Sequence, residues 1–233
     1  MAKPYKYNEF QQIFSPERMR KFCVACNNDT RKAMTLYRYN LRLSQEMFVV
    51  VSCFEVTLRN RIDNLMKVRW GNDWLRDLIL PGGVFYSDRR VEKTRRIIEK
   101  VYDGLMRSGL YSHSKLLSEM EFGVWKYMFS NVQYQLGGQV LLRVFPNKPT
   151  SSRYQQYDNS YIFGELDYIN NLRNRIAHHE PICFNNNIQK DTAYVRNRYQ
   201  RMMILFDWMG LDGKSILYGL DHSEKVCRLI DNL

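Results

Sequence analysis

The 41 residues from Thr30 to Trp70 contain neither proline nor glycine, and Gly71 follows them at once. Proline breaks a helix and glycine weakens or ends one. The stretch therefore reads as one helix of roughly forty residues, or two with a break, stopped by Gly71. Leu58, Ile62, Leu65 and Met66 recur at helical spacing, which gives this spine an inward face. Any fold for the chain has to be assembled around it.

Shorter helices fit on either side. Ser15-Pro16 is an N-cap with proline at the first helical position, opening a helix through Phe22 toward Cys26. Thr30 can cap the spine. Pro81-Gly-Gly83 marks a loop, Asp88 caps a basic helix ending near Gly109, and Ser114 caps another through Phe129. Asn131 to Val144 is expected to stay helical despite Gly137-Gly138, and the two prolines from Phe145 to Arg153 make a loop that can border an active face. A helix from Asp158 or Tyr161 should run to His178, because Pro181 restricts the residue before it. Asn185 to Asn187 form a turn, residues 188–209 a last long helix, and a shorter one starts near Ser223. Strand alternation is hardly visible, so the expectation is all-α: a single multi-helix domain spanning 1–233 with a long N-terminal spine helix.

Composition narrows the function classes. With 45% hydrophobic and 14% aromatic residues the chain has ample core for one large domain or two small ones. Lys+Arg exceed Asp+Glu by 35 to 24, and a net charge of +11 favours nucleic acid or an acidic surface as partner. The five cysteines are odd in number and mostly in apolar surroundings, which suits a reducing cytosol. Cys23-Val-Ala-Cys26 has metal or redox spacing, yet no second Cys or His pair stands nearby to complete a zinc site, and helix packing is the simpler reading. The longest dense apolar stretch, Met47 to Phe54, is interrupted by Ser52, and the N-terminus carries no hydrophobic signal region. A soluble cytoplasmic protein without membrane contact is expected.

The chemistry concentrates in residues 172–181, Leu-Arg-Asn-Arg-Ile-Ala-His-His-Glu-Pro. Arginine presents a planar fork of donors that suits phosphate, and histidine is the side chain most easily poised as acid or base near neutral pH. Cleaving RNA through its own 2′-hydroxyl needs a base, an acid for the departing 5′-oxygen and positive charge on the phosphate, with no metal or cofactor. Arg173 suits the phosphate and His178 the proton transfers. Asn174 shares a helical face with His178, whereas Arg173 points well round the cylinder unless the helix loosens before Pro181. His179 can support the site, and Glu180 or Glu165 can hydrogen-bond a histidine. The plainer alternative is that these side chains satisfy carbonyls at a helix C-terminus and favour its negative pole. One histidine is poorly equipped to be acid and base at once; two copies meeting across a two-fold axis would supply both.

The same decapeptide resembles the Arg-Asn-x-x-x-His motif of HEPN-type ribonucleases, and its His-His-Glu-Pro extension is similar to the Abi family of bacterial abortive-infection proteins. Two further segments resemble that family in the same order: Phe54-Glu-Val-Thr-Leu-Arg-Asn-Arg-Ile62 with Gly71-Asn-Asp-Trp74 downstream, and Leu117-Ser-Glu-Met-Glu-Phe-Gly-Val-Trp125. The resemblance implies a HEPN-like helical fold and a homodimer with a composite site. It also implies an endoribonuclease acting as the toxic effector of an abortive-infection or toxin–antitoxin system. Arg173, Asn174 and His178 would be the catalytic residues, with RNA as substrate. Such an enzyme needs restraint, by an inhibitory structured RNA or a protein antitoxin. The competing expectation is a non-catalytic RNA-binding module.

Leu58-Arg-Asn-Arg-Ile62 repeats residues 172–176 without the histidines. The echo reflects similar packing needs or a shared RNA-facing role for Arg59, Arg61 and Arg175. Arg95 and Arg96, with Arg89, Arg90, Lys93 and Lys100, form a basic patch, as do Arg196, Arg198 and Arg201. These can follow an RNA backbone or simply be solvated helix faces, since Glu92 and Glu99 partly neutralise the first. Gly210-Leu-Asp-Gly-Lys-Ser215 fails as a phosphate loop, because its first glycine would fall at Trp208. His113 and His222 read as isolated surface residues.

Overall fold

The computed structural model describes residues 5–233, and among these every regular element is helical. In chain order they are α1 (Tyr7–Phe14), α2 (Pro16–Ala25), α3 (Thr30–Trp70), α4 (Trp74–Asp77), α5 (Glu92–Arg107) and α6 (His113–Ser118). Then come α7 (Phe122–Tyr127), α8 (Asn131–Leu136), α9 (Asn159–Ala177), α10 (Ala193–Trp208), α11 (Gly213–Ile216) and α12 (Ser223–Asp231). Short 3₁₀ turns lie at Arg89–Val91 and Leu141–Val144, and one isolated antiparallel bridge joins Phe184 to Lys190.

The spine is a single uninterrupted helix of 41 residues. Gly71 ends it with φ +89°, a left-handed conformation in which its N–H reaches the Lys67 carbonyl at 2.9 Å. The cap at its start is Asp29, not the expected Thr30: its Oδ1 accepts the backbone N–H groups of Arg31 and Lys32 at 2.9 and 3.1 Å. A carboxylate that accepts two otherwise orphaned donors leaves Thr30 as the first helical residue.

Three other expectations need correction. The helix toward Phe129 is capped by Ser112, whose Oγ accepts Lys115 N–H at 3.2 Å, and it breaks at Glu121. Extended backbone there (φ −75°, ψ 157°) resets the helical phase, so that Leu116, Leu117, Met120 and Phe122 are all buried. Gly138 (φ +81°) does stop α8, leaving only a 3₁₀ turn before Phe145. The last long helix begins at Ala193, because residues 188–192 form the return arm of a hairpin turning at Asn185 to Asn187.

The chain forms two compact units. Among the described residues the first comprises 5–52, 171–202 and 214–233, and the second 53–170 and 203–213. The first unit is centred on aromatic rings: Tyr37 lies 5.5, 4.7 and 5.1 Å from Phe10, Phe14 and Phe22, and Phe22 lies 5.0 Å from Phe184. Buried Asn40 on α3 accepts the Ile182 N–H at 2.9 Å, pinning the segment that succeeds α9. Arg196 bridges Glu224 and Asp231 at 2.9 and 2.8 Å, clamping α10 to α12.

In the second unit Phe54 packs edge-on against Phe206 at 5.4 Å and lies 6.3 Å from Phe122. Buried Lys126 reaches Asp167 at 2.8 Å. Gly83 is required where it stands, since a Cβ there would lie 2.1 Å from the Asp77 carbonyl oxygen.

Candidate functional site

Helix α9 is started by Asp158, whose Oδ1 accepts the Tyr161 N–H at 2.9 Å. Ile162, Leu166, Ile169, Leu172 and Ile176 recur at three- and four-residue spacing and are all buried. Arg173 and Asn174 are half-buried beside this stripe, and His178, His179 and Glu180 are exposed.

The helix end is a complete Schellman arrangement. His178 N–H reaches the Asn174 carbonyl at 2.9 Å, His179 N–H the Ile176 carbonyl at 3.0 Å, and Glu180 N–H the Arg175 carbonyl at 2.8 Å. His179 occupies the left-handed position at φ +56°, which glycine normally takes and a non-glycine residue adopts only at a cost. The regular helix ends at Ala177, one residue before the expected His178, and the backbone leaves the helical path at His179. His178 keeps its helical bond and stays on the face of Asn174, with Arg173 about 140° away round the cylinder.

The turn is held from outside as well as within. Arg18 Nη1 on α2 donates to the His179 carbonyl at 2.7 Å. Arg175 donates to the Pro181 carbonyl, lies 3.5 Å from Glu180 Oε2, and stacks 4.9 Å above the Tyr194 ring, which Arg198 also covers at 4.2 Å. By contrast, the side chains of Arg173, Asn174, His178 and His179 make no hydrogen bond or ion pair with any described residue. The structure thus separates two groups of motif residues. Arg175 and Glu180 build the turn, while Arg173, Asn174 and His178 present unengaged donors and a ring from a backbone that cannot readily move. Glu180 pairs with Arg175 rather than with a histidine, and Glu165 is buried in the second unit.

The other arginines singled out in the sequence fall into different settings. Arg95 donates to the Tyr86 carbonyl at 2.6 Å and lies 3.5 Å from Glu99, and Arg96 pairs with Glu92 at 2.6 Å. Both belong to the second unit, as do exposed Arg61 and half-buried Arg59, whose Nε is enclosed without a partner. The repeated pentapeptide has a packing explanation: Leu58 and Ile62, like Leu172 and Ile176, are the buried i,i+4 pair of their helix.

Immediately after the first copy of the pentapeptide, Asp63 anchors a network that sequence reasoning missed. This buried carboxylate accepts Trp74 Nε1 at 2.8 Å and His113 Nε2 at 2.7 Å on one oxygen and Lys67 Nζ at 2.6 Å on the other. Burial alone would raise this carboxyl, but the three hydrogen bonds outweigh it and hold it below its ordinary value. His113 is therefore not an isolated surface residue; its side chain is 11% exposed and packs beside the Trp74 ring at 6.1 Å. The Asp63–Lys67 spacing of four was a signal for part of this network, but nothing in the sequence linked it to a histidine fifty positions away. His222 is exposed, as expected.

Three of the cysteines are held as thiols by burial. Burial pushes the Cys183 thiol up to about 12 and Cys227 up to about 11, and raises Cys26 as well. Cys23 lies 2.8 Å from the Tyr7 hydroxyl. Among the described residues no group of three or more His, Cys, Asp or Glu converges as metal ligands, and no helix is long and apolar enough to cross a membrane.

A spine helix, a second helix whose Arg-Asn-Arg-Ile-Ala end leads into the His178–His179 turn and a central Phe-Gly segment on α7 define a class of helical protein that comparison with known families identifies. The model for the Abi-like protein family matches residues 2–183 of the 233, and the chain belongs to that family. The match takes in all three resembling segments and the whole turn, and it ends at Cys183. No curated protein and no solved structure matches the chain significantly.

Proposed function

We propose that the protein is a metal-independent endoribonuclease of HEPN type, acting in the cytoplasm as the toxic effector of an abortive-infection or toxin–antitoxin system. The observation that carries this reading is the contrast within the motif. Arg175, Glu180 and Arg18 lock the turn, and the Arg173 guanidinium and His178 imidazole they position have no structural task of their own. An Abi-like family membership supports the defence role.

In the proposed reaction a neutral His178 removes the proton from a ribose 2′-hydroxyl, and the 2′-oxygen forms a new bond to phosphorus. Arg173 holds the phosphate through paired N–H donors as negative charge builds on its oxygens, and Asn174 orients the ring or contacts the phosphate. The bond to the 5′-oxygen breaks, and that oxygen takes a proton from the His178 of a second copy across a two-fold interface. The products are a 2′,3′-cyclic phosphate and a 5′-hydroxyl. The +11 charge suits both a substrate RNA and an inhibitory structured RNA as restraint, with a protein antitoxin as the other form of control.

Induced expression in a bacterial host tests the proposal. Wild type should arrest growth, whereas His178→Ala and Arg173→Gln should not, with His178→Ala retaining salt-dependent RNA binding. Undiminished toxicity of His178→Ala would refute the nuclease. Binding retained by every variant without cleavage by wild type would instead identify a non-catalytic RNA-binding module.

A further inference from the structure

Beside the His178–His179 turn the first unit contains a cleft of about 630 Å³, lined by Lys21, Arg175, Glu180, Phe184, Asn186 and neighbouring residues. Ligand sites commonly fall between about 300 and 1,000 Å³, so the space is ample for one nucleotide. One lining residue, Phe184, is largely buried and packs on Phe22 at 5.0 Å, which fixes that side of the cleft. Its rim is rigid too, because Arg175 is tied to the Pro181 carbonyl and to Glu180. The hairpin that forms the far wall is fixed by Asn185, whose Oδ1 accepts the N–H groups of Asn187 and Gln189, both at 3.0 Å.

Two donors project from these fixed walls without a partner among the described residues, the Lys21 ammonium and the Asn186 amide. The combination is a cation for a phosphate, a largely buried aromatic residue in the wall and an amide able to donate and accept at once. That is the set by which proteins hold a nucleotide and read its base edge. Arg175, which lines the cleft, and His178 are three residues apart and so are neighbours on one side of the helix. Its far wall, Phe184 to Ile188, lies beyond the residues matched by the family model.

We infer that this cleft receives the nucleotide of a single-stranded RNA substrate adjacent to the scissile phosphate, with Asn186 reading the base and Lys21 holding the next phosphate. The inference rests on the nuclease reading for the scissile step but not for the binding, and the two are tested apart.

Ends generated from a randomised single-stranded RNA library are sequenced for wild type, Asn186→Ala and Lys21→Gln, with His178→Ala as the inactive control. Wild type should favour particular bases beside the cut, and Asn186→Ala should reduce that discrimination roughly tenfold. Lys21→Gln should raise KM several-fold with a much smaller change in kcat. An even base distribution for wild type, or an unchanged preference and KM in both variants, overturns the inference while leaving the nuclease intact.

Cleavage by His178→Ala equal to wild type would refute the nuclease alone. The cleft is then judged by calorimetric titration of His178→Ala with the four nucleoside 5′-monophosphates. Saturable binding of at least one, lost in the Lys21→Gln/Asn186→Ala background, sustains the inference; no binding of any overturns it.

Discussion

Replacing His179 by glycine should make the protein more stable and leave it active, although the position lies inside the most chemically suggestive run of the chain. His179 sits at φ +56° in the position that closes the Schellman turn. A side chain in the left-handed region costs about 1–2 kcal/mol. Glycine removes that cost but adds backbone freedom to the unfolded chain, worth roughly 0.5–1 kcal/mol in the other direction. The imidazole makes no bond whose loss would alter this balance, and the backbone groups that close the turn survive.

The net gain is up to about 1.5 kcal/mol, centred near 0.75 kcal/mol, which for a domain of this size raises Tm by up to about 6 °C. His179→Val, with a branched Cβ in the same conformation, should lower Tm instead. His178→Ala should leave Tm within about 1 °C, since it removes an exposed and unbonded ring, but should abolish cleavage. Thermal unfolding followed by circular dichroism, with RNA cleavage measured on the same samples, separates the two histidines. A His179→Gly variant that unfolds earlier than wild type, or that loses cleavage along with His178→Ala, would refute the division of labour between them.

Substitutions elsewhere have equally definite outcomes. Asp63→Asn should cost about 2 kcal/mol, by misplacing a donor among three others at a buried acceptor, and lower Tm by about 4–8 °C. The Asp63 carboxyl is held below its ordinary value, so its contribution is present above about pH 4 and lost as pH falls through the folded value; the gap between variant and wild type should therefore narrow in acid unfolding curves, and an equal gap at about pH 3 would contradict the assignment. Arg18→Ala removes the hydrogen bond to the His179 carbonyl and should cost about 1 kcal/mol, with cleavage falling further than that stability loss explains if the turn positions His178. Gly83→Ala should cost about 3 kcal/mol, seen as a lowered Tm, because its Cβ would meet backbone rather than a movable side chain.

The parts legible in the sequence are those set by local chemistry. The absence of proline and glycine from Thr30 to Trp70 left one long helix or two with a break, Ser15-Pro16 supplied a cap, Asp158 or Tyr161 a helix start, and Gly71 a stop. The motif residues stand out because arginine, asparagine and histidine crowd into seven positions. The rest depends on contacts distant in sequence. His113 reaches Asp63 across fifty positions, Arg18 reaches His179 across 161, and the hairpin wall brings Asn186 into the same cleft as Lys21. Breaks also stay hidden where backbone phase, not residue type, decides, as at Glu121 between α6 and α7. Arg173 and Arg175 are alike in residue type and lie two positions apart, yet the first is unengaged and the second builds the turn. Two positions on a helix turn a side chain onto a different face, and only the partners at Pro181, Glu180 and Tyr194 reveal which face meets them.

The proposal that Arg173 and His178 cut RNA without a metal is tested most directly by incubating purified wild-type protein and His178→Ala with total cellular RNA in EDTA and analysing the product ends. Cleavage by wild type alone, leaving 2′,3′-cyclic phosphates, is the expected result. Equal cleavage by both proteins, or cleavage that EDTA abolishes and Mg²⁺ restores, would contradict it.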